Sequence, residues 1–77
     1  MAEMKFKIQT PRLKFLDEAM HHLAERIRPN DMVELEQGQV ISPFTTPNGR
    51  VLWEVKYVEQ LDLDYTFIYV KQLGVMP

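Results

Sequence analysis

The chain contains no cysteine, so disulfides cannot reinforce it, and a zinc site would have to be built from histidine and carboxylates alone. That absence suits a reducing compartment, and the expected location is cytoplasmic. No apolar run approaches the roughly 18 residues of a membrane span. The segment Met1–Thr10, which carries Lys5 and Lys7, lacks the uninterrupted apolar stretch of a signal peptide. Glycine is also scarce: three residues, widely scattered, make no phosphate-cradling loop. Charge of one sign is lacking too. Nine Lys and Arg against eleven Asp and Glu leave a net charge of −2, too little basicity for a dedicated nucleic-acid binder and too little acidity for a DNA mimic.

What is present is an ordinary folded composition, with 45% hydrophobic and 26% charged residues. A domain of 77 residues buries only about 60% of its unfolded surface, so its stability is modest. Small domains without disulfide or metal often gain stability from oligomerisation or a partner. The sequence reads as a single domain, 1–77, with a short flexible tail at 74–77.

Lys5 to Thr10 alternates, with Phe6 and Ile8 on one side and Lys5, Lys7 and Gln9 on the other, and predicts a half-buried strand. Thr10 then Pro11 suits a helix start, and Leu13, Leu16, Met20, Leu23 and Ile27 recur at spacings of three and four. These features predict a helix over 11–28, closed by Pro29 and the turn formers Asn30 and Asp31. Met32 to Ser42 reads as a strand with a bulge at Gly38, the alternative for Met32–Gln37 being a short helix capped by Asp31 and Glu34. Thr45-Thr-Pro-Asn-Gly49 predicts a hairpin turn. Arg50 to Glu59 and Tyr65 to Leu73 predict strands, the last apolar on both faces, with Tyr65, Phe67 and Tyr69 opposing Thr66, Ile68 and Val70. The expected fold is α+β: a small antiparallel sheet of about four strands with one helix on one face, in the order β-α-β-β-β. Arg28 to Leu35 resembles the entry strand of SH3-like small barrels, which implies as an alternative a small barrel preceded by a helix.

On that helix Asp17, His21 and Glu25 would lie four apart with His22 beside them, a spacing that permits a metal but is routine on a solvated face. Glu59, Asp62 and Asp64 lack the spacing of a calcium loop and read as a polar connector. There is no cysteine nucleophile, and Ser42 stands outside any nucleophile elbow. No catalytic residue, cofactor-binding residue or metal ligand is therefore expected, and the chain reads as a non-enzyme.

The informative excess is apolar. One helix covers only one side of a sheet, yet the last strand is apolar on two, and something must cover the other side. The expected protein interface is Trp53, Tyr57, Tyr65, Phe67 and Tyr69, with Phe15 on a secondary helix stripe that either joins the interface or widens the core. Another protein is the expected partner, with self-association into a homodimer as the further option; membranes and nucleic acid are not expected partners. The function expected is that of a non-enzymatic regulator or inhibitor of a larger macromolecular assembly, of the kind that phages and mobile elements encode. The competing reading is a small barrel that binds RNA or single-stranded nucleic acid through exposed aromatic rings.

Overall fold

A computed structural model describes residues 4–60 and 62–77. Met1–Glu3 of the N-terminal segment and Leu61 of the acidic connector lie outside the described residues. The elements are β1 (Lys5–Lys7), β2 (Arg12–Leu16), β3 (His22–Ile27), β4 (Glu34–Glu36), β5 (Val40–Ile41), β6 (Thr45–Thr46), β7 (Gly49–Gln60) and β8 (Tyr65–Met76). Among the described residues there is no helix. The α+β expectation is corrected to an all-strand fold, and the barrel alternative loses its leading helix.

The correction falls on 11–28, where a hairpin replaces the helix. Asp17 explains the reversal: its Oδ1 accepts from the backbone N–H of Ala19 at 2.9 Å and of His21 at 2.8 Å, a side-chain-organised turn. Met20 takes the left-handed conformation at φ 66°, a conformation a helix interior does not contain. β2 then pairs antiparallel with β3, Leu13 opposite Arg26 and Phe15 opposite Ala24. The three-and-four spacing of apolar residues is coincidental to this outcome. Leu13 and Leu16 are buried, whereas Met20 at the turn is 64% exposed and Ile27 is 76% exposed.

β2 also pairs parallel with β8, Arg12 opposite Tyr65 and Leu16 opposite Tyr69, so β8 is the middle strand of the path β3-β2-β8-β7-β5. This path does not close on itself. β7 and β8 form a long antiparallel ribbon, and Gly74–Met76, expected as a tail, pair with Arg50–Leu52. The Thr45–Gly49 turn forms where expected, Thr46 opposite Gly49. The segment Arg28–Leu35 forms the turn into β4, and Met32–Gln37 takes the strand option, with Leu35 opposite Phe6 in a two-stranded ribbon of β1 and β4. Gly38, at φ 90°, lets the chain leave that ribbon for β5, its N–H donating to Val55 O at 2.7 Å.

The β1–β4 ribbon and the loops flanking it cover one face of the large sheet. Ile8, Met32 and Leu35 join Leu13, Phe15, Trp53, Val55, Ile68 and Val70 in one core cluster. Within that layer the Thr10 and Thr66 hydroxyls, both buried, lie 2.7 Å apart, and Thr10 donates onward to Arg12 O. Thr66 is therefore the donor to Thr10. Arg28 ties the ribbon to β3 by donating to Ile8 O.

Candidate recognition face

The other side of the sheet carries the aromatic residues. Tyr65, Phe67 and Tyr69 alternate with the buried Thr66, Ile68 and Val70 along β8, so strand geometry alone sets their three rings on the outer face. From β7, Tyr57 stands opposite Tyr69 and Glu59 opposite Phe67. From β2, Arg12 stands opposite Tyr65 and Lys14 opposite Phe67. From β3, Glu25 faces Lys14 and Ile27 faces Arg12.

Four of the rings form a continuous row, and Lys14 bridges its Phe67 end to Tyr65. Phe67 and Tyr69 have centroids 6.5 Å apart, Tyr69 and Tyr57 6.4 Å, and Phe6 of β1 meets Tyr57 edge-on at 5.5 Å, distances at which aromatic pairs attract beyond simple burial. The Lys14 ammonium sits 4.5 Å from the Tyr65 centroid and 5.7 Å from that of Phe67. The Arg12 guanidinium lies 5.7 Å from the Tyr65 centroid and donates to its hydroxyl at 3.0 Å. These are cation–π contacts, which hold the two basic side chains against the face. At the opposite end the Tyr69 hydroxyl points at Glu59 Oε1, 3.5 Å away. Partial burial pushes the Tyr69 phenol above its ordinary value, and the neighbouring Glu59 carboxylate adds to that shift.

Of the residues expected at an interface, Tyr57, Tyr65, Phe67 and Tyr69 share this face. Trp53 and Phe15 do not: they are 5% and 0% exposed and pack against each other in the core at 5.2 Å. Trp53 was grouped with Tyr57 by alternation, but a bulge between Val55 and Tyr57 shifts the register of β7 and carries Tyr57 to the outer side while Val58 turns inward. Arg12, Lys14 and Glu25 were missed, because a helix would have taken them away from the sheet. The signal was there in the alternation Arg12-Leu-Lys-Phe15.

Asp17 and His21 do meet, Nδ1 to Oδ2 at 3.1 Å, but as part of the β2–β3 turn. Among the described residues no group of three His, Cys, Asp or Glu side chains is placed to hold a metal ion. Asp62 likewise organises a turn, its Oδ1 accepting from Asp64 N and Tyr65 N at 2.7 and 2.9 Å. A cleft of about 390 Å³ is bounded by Arg26, Asp31, Met32, Leu35, Ser42 and Pro43; it collects none of the residues expected at an interface. Among the described residues no helix is long and apolar enough to cross a membrane.

No protein-family model, curated protein or solved structure matches the chain. The face itself is therefore the source of any functional reading.

Proposed function

We propose that the chain is a non-enzymatic binding protein that regulates or inhibits a larger assembly by docking another protein on the outer face of β2, β8 and β7. The observation that carries this reading is the row of half-exposed aromatic rings along the middle strand, flanked by Lys14 and Arg12 at one end and by Phe6 of β1 at the other. Tyrosine suits such a surface, since it buries a large area with few rotatable bonds and keeps a polar tip. Charge on the face is balanced, Arg12 and Lys14 against Glu25 and Glu59, which favours a protein surface of mixed charge over a polyphosphate.

A second reading rests on Lys14 standing over two rings. Rings for base stacking beside a cation for the phosphate are the elements of a single-strand binding platform. One experiment separates the two. The immobilised chain is offered a native extract and, separately, fluorescein-labelled single-stranded oligonucleotides at increasing salt, with Phe67→Ser and Lys14→Glu variants beside it. Protein docking predicts a captured protein that both variants lose and negligible oligonucleotide binding. Oligonucleotide binding that weakens steeply with salt would replace the protein reading with the second.

A further inference from the structure

β2 ends at Leu16, opposite Tyr69, whereas β8 runs on to Met76. Beyond Val70 the middle strand of the sheet thus becomes an edge, paired with β7 on one side and with no described strand on the other. Six residues, Lys71–Met76, make an edge about 20 Å long. Unpaired backbone of that length is a template for another strand, and proteins that need to prevent pairing place charges or prolines along it. Here Lys71 and Pro77 stand only at the two ends, Gln72 to Met76 between them carry no charge and no proline, and Leu73, Val75 and Met76 are 45%, 47% and 46% exposed.

We infer that this edge pairs antiparallel with the same edge of a second copy of the chain. The choice of occupant follows from self-complementarity. A two-fold centred on Gly74 sets Leu73 of each copy opposite Val75 of the other and Gln72 opposite Met76, bringing apolar side chains together without a like-charge pair. At Gly74, where φ is 130°, the backbone is bare, and apart from its chain neighbours no atom lies within 4 Å of where a Cβ would stand, which leaves room for a second strand. The bulge at Leu73, where Leu52 pairs with Gly74 and Trp53 with Gln72, twists both copies alike. The edge at the β3 end of the path is not self-complementary: pairing centred on Glu25 sets carboxylate against carboxylate, and pairing centred on Ala24 sets Glu25 against Leu23. Joined through β8, two sheets become one, and a two-fold normal to the sheet keeps both aromatic faces on the same side.

This inference is independent of what docks on that face. Sedimentation equilibrium of the full chain over a wide concentration range tests it, with circular dichroism to check folding. The expected result is a reversible dimer of twice 9.1 kDa, weakened at least tenfold by Leu73→Lys or Val75→Lys and unaffected by Phe67→Ser. A mass of one chain at every concentration overturns the proposal, as does a dimer indifferent to both lysine variants. A dimer abolished by Phe67→Ser in folded protein overturns it too, since self-association would then belong to the aromatic face. So does a monomer whose edge variants lose a captured foreign protein, because the edge would then receive a partner's strand.

Discussion

The two faces of β8 are built from adjacent residues and meet opposite fates. Thr66, Ile68 and Val70 are 1%, 0% and 0% exposed, sealed under the β1–β4 ribbon and its flanking loops, whereas Tyr65, Phe67 and Tyr69 remain half-buried on the opposite face, beside the Arg12 and Lys14 side chains. The inner side chains are small or aliphatic and fill volume; the outer ones are broad and flat, and the two tyrosines are tipped with hydroxyls. A strand in the middle of a sheet needs both faces apolar only when both are buried. The difference therefore separates what the fold requires from what is left for recognition.

The largest expected effect breaks the inner face. Ile68→Ala, at a fully buried site, should cost about 2–5 kcal/mol, enough to unfold much of so small a domain. Phe67→Ser, one residue away, should cost less than about 1.5 kcal/mol, since its ring loses mainly its contacts with Lys14 and Tyr69. Urea unfolding of the pair checks this contrast. Equal losses would mean that the outer row is structural, and the recognition reading would fail with it.

Next in size is a variant that tests the joint between the β6–β7 turn and the far end of β8. Gly49 has φ 133°, and a Cβ there would run into the Met76 carbonyl oxygen. Gly49→Ala is expected to cost about 1–3 kcal/mol through the strained backbone alone, and more through displacement of Met76. Gly38→Ala, where nothing lies within 4 Å, carries only the conformational part. Thermal melts in which Gly38→Ala is the more damaging of the two would contradict the close approach of Met76 to the turn.

A smaller effect is expected at Thr66, the one polar residue on the buried face of β8. Thr66→Val keeps the shape but removes the donor to Thr10 Oγ1, whose own proton goes to Arg12 O. The expected loss is about 0.5–1.5 kcal/mol, read from the urea midpoint. A stabilised Thr66→Val protein would show that apolar packing is worth more here than the hydroxyl pair.

How much of this was legible can be argued from two stretches of similar pattern. Lys5-Phe-Lys-Ile8 reads as a strand, and β1 lies there. Arg12-Leu-Lys-Phe15 has the same alternation but sits within a longer run in which Leu13, Leu16, Met20, Leu23 and Ile27 imitate a helical stripe, and local pattern cannot choose between them. What decides is long-range: β2 inserts between β3 and β8, and the parallel pairing of Arg12–Leu16 with Tyr65–Tyr69 has no local sequence signal. The outer aromatic row was legible because β8 alternates without a break from Tyr65 to Val70. The cations beside it were not, since their place depends on that pairing. Trp53 was misassigned because a one-residue bulge inverts every later side chain on β7.

The smallest expected effect concerns acid, and it returns to where the outer row begins. Asp62 accepts the backbone N–H of Tyr65 and then of Asp64, and these bonds hold its carboxyl below the ordinary 3.8, with Lys14 adding a minor pull in the same direction. Asp17 is lowered in the same way at the β2–β3 turn, chiefly by the backbone N–H of His21. A carboxyl whose folded pKa lies below its unfolded value contributes stability that is complete above the unfolded value and is lost as pH falls through the folded one. The window therefore lies below about pH 4, and because Asp62 is exposed and Asp17 only half-buried at a surface turn, the loss is small. Titration followed by NMR should show the Tyr65 amide shifting with the Asp62 carboxyl, while the Ile68 amide, deep in β8, stays still until global unfolding. Asp62→Asn keeps an oxygen to accept the same two N–H groups without titrating, and should remove the Tyr65 shift. If Tyr65 and Ile68 instead respond together at one pH in both proteins, the start of the aromatic row is not held by this turn, and the two faces of β8 are not separable by acid.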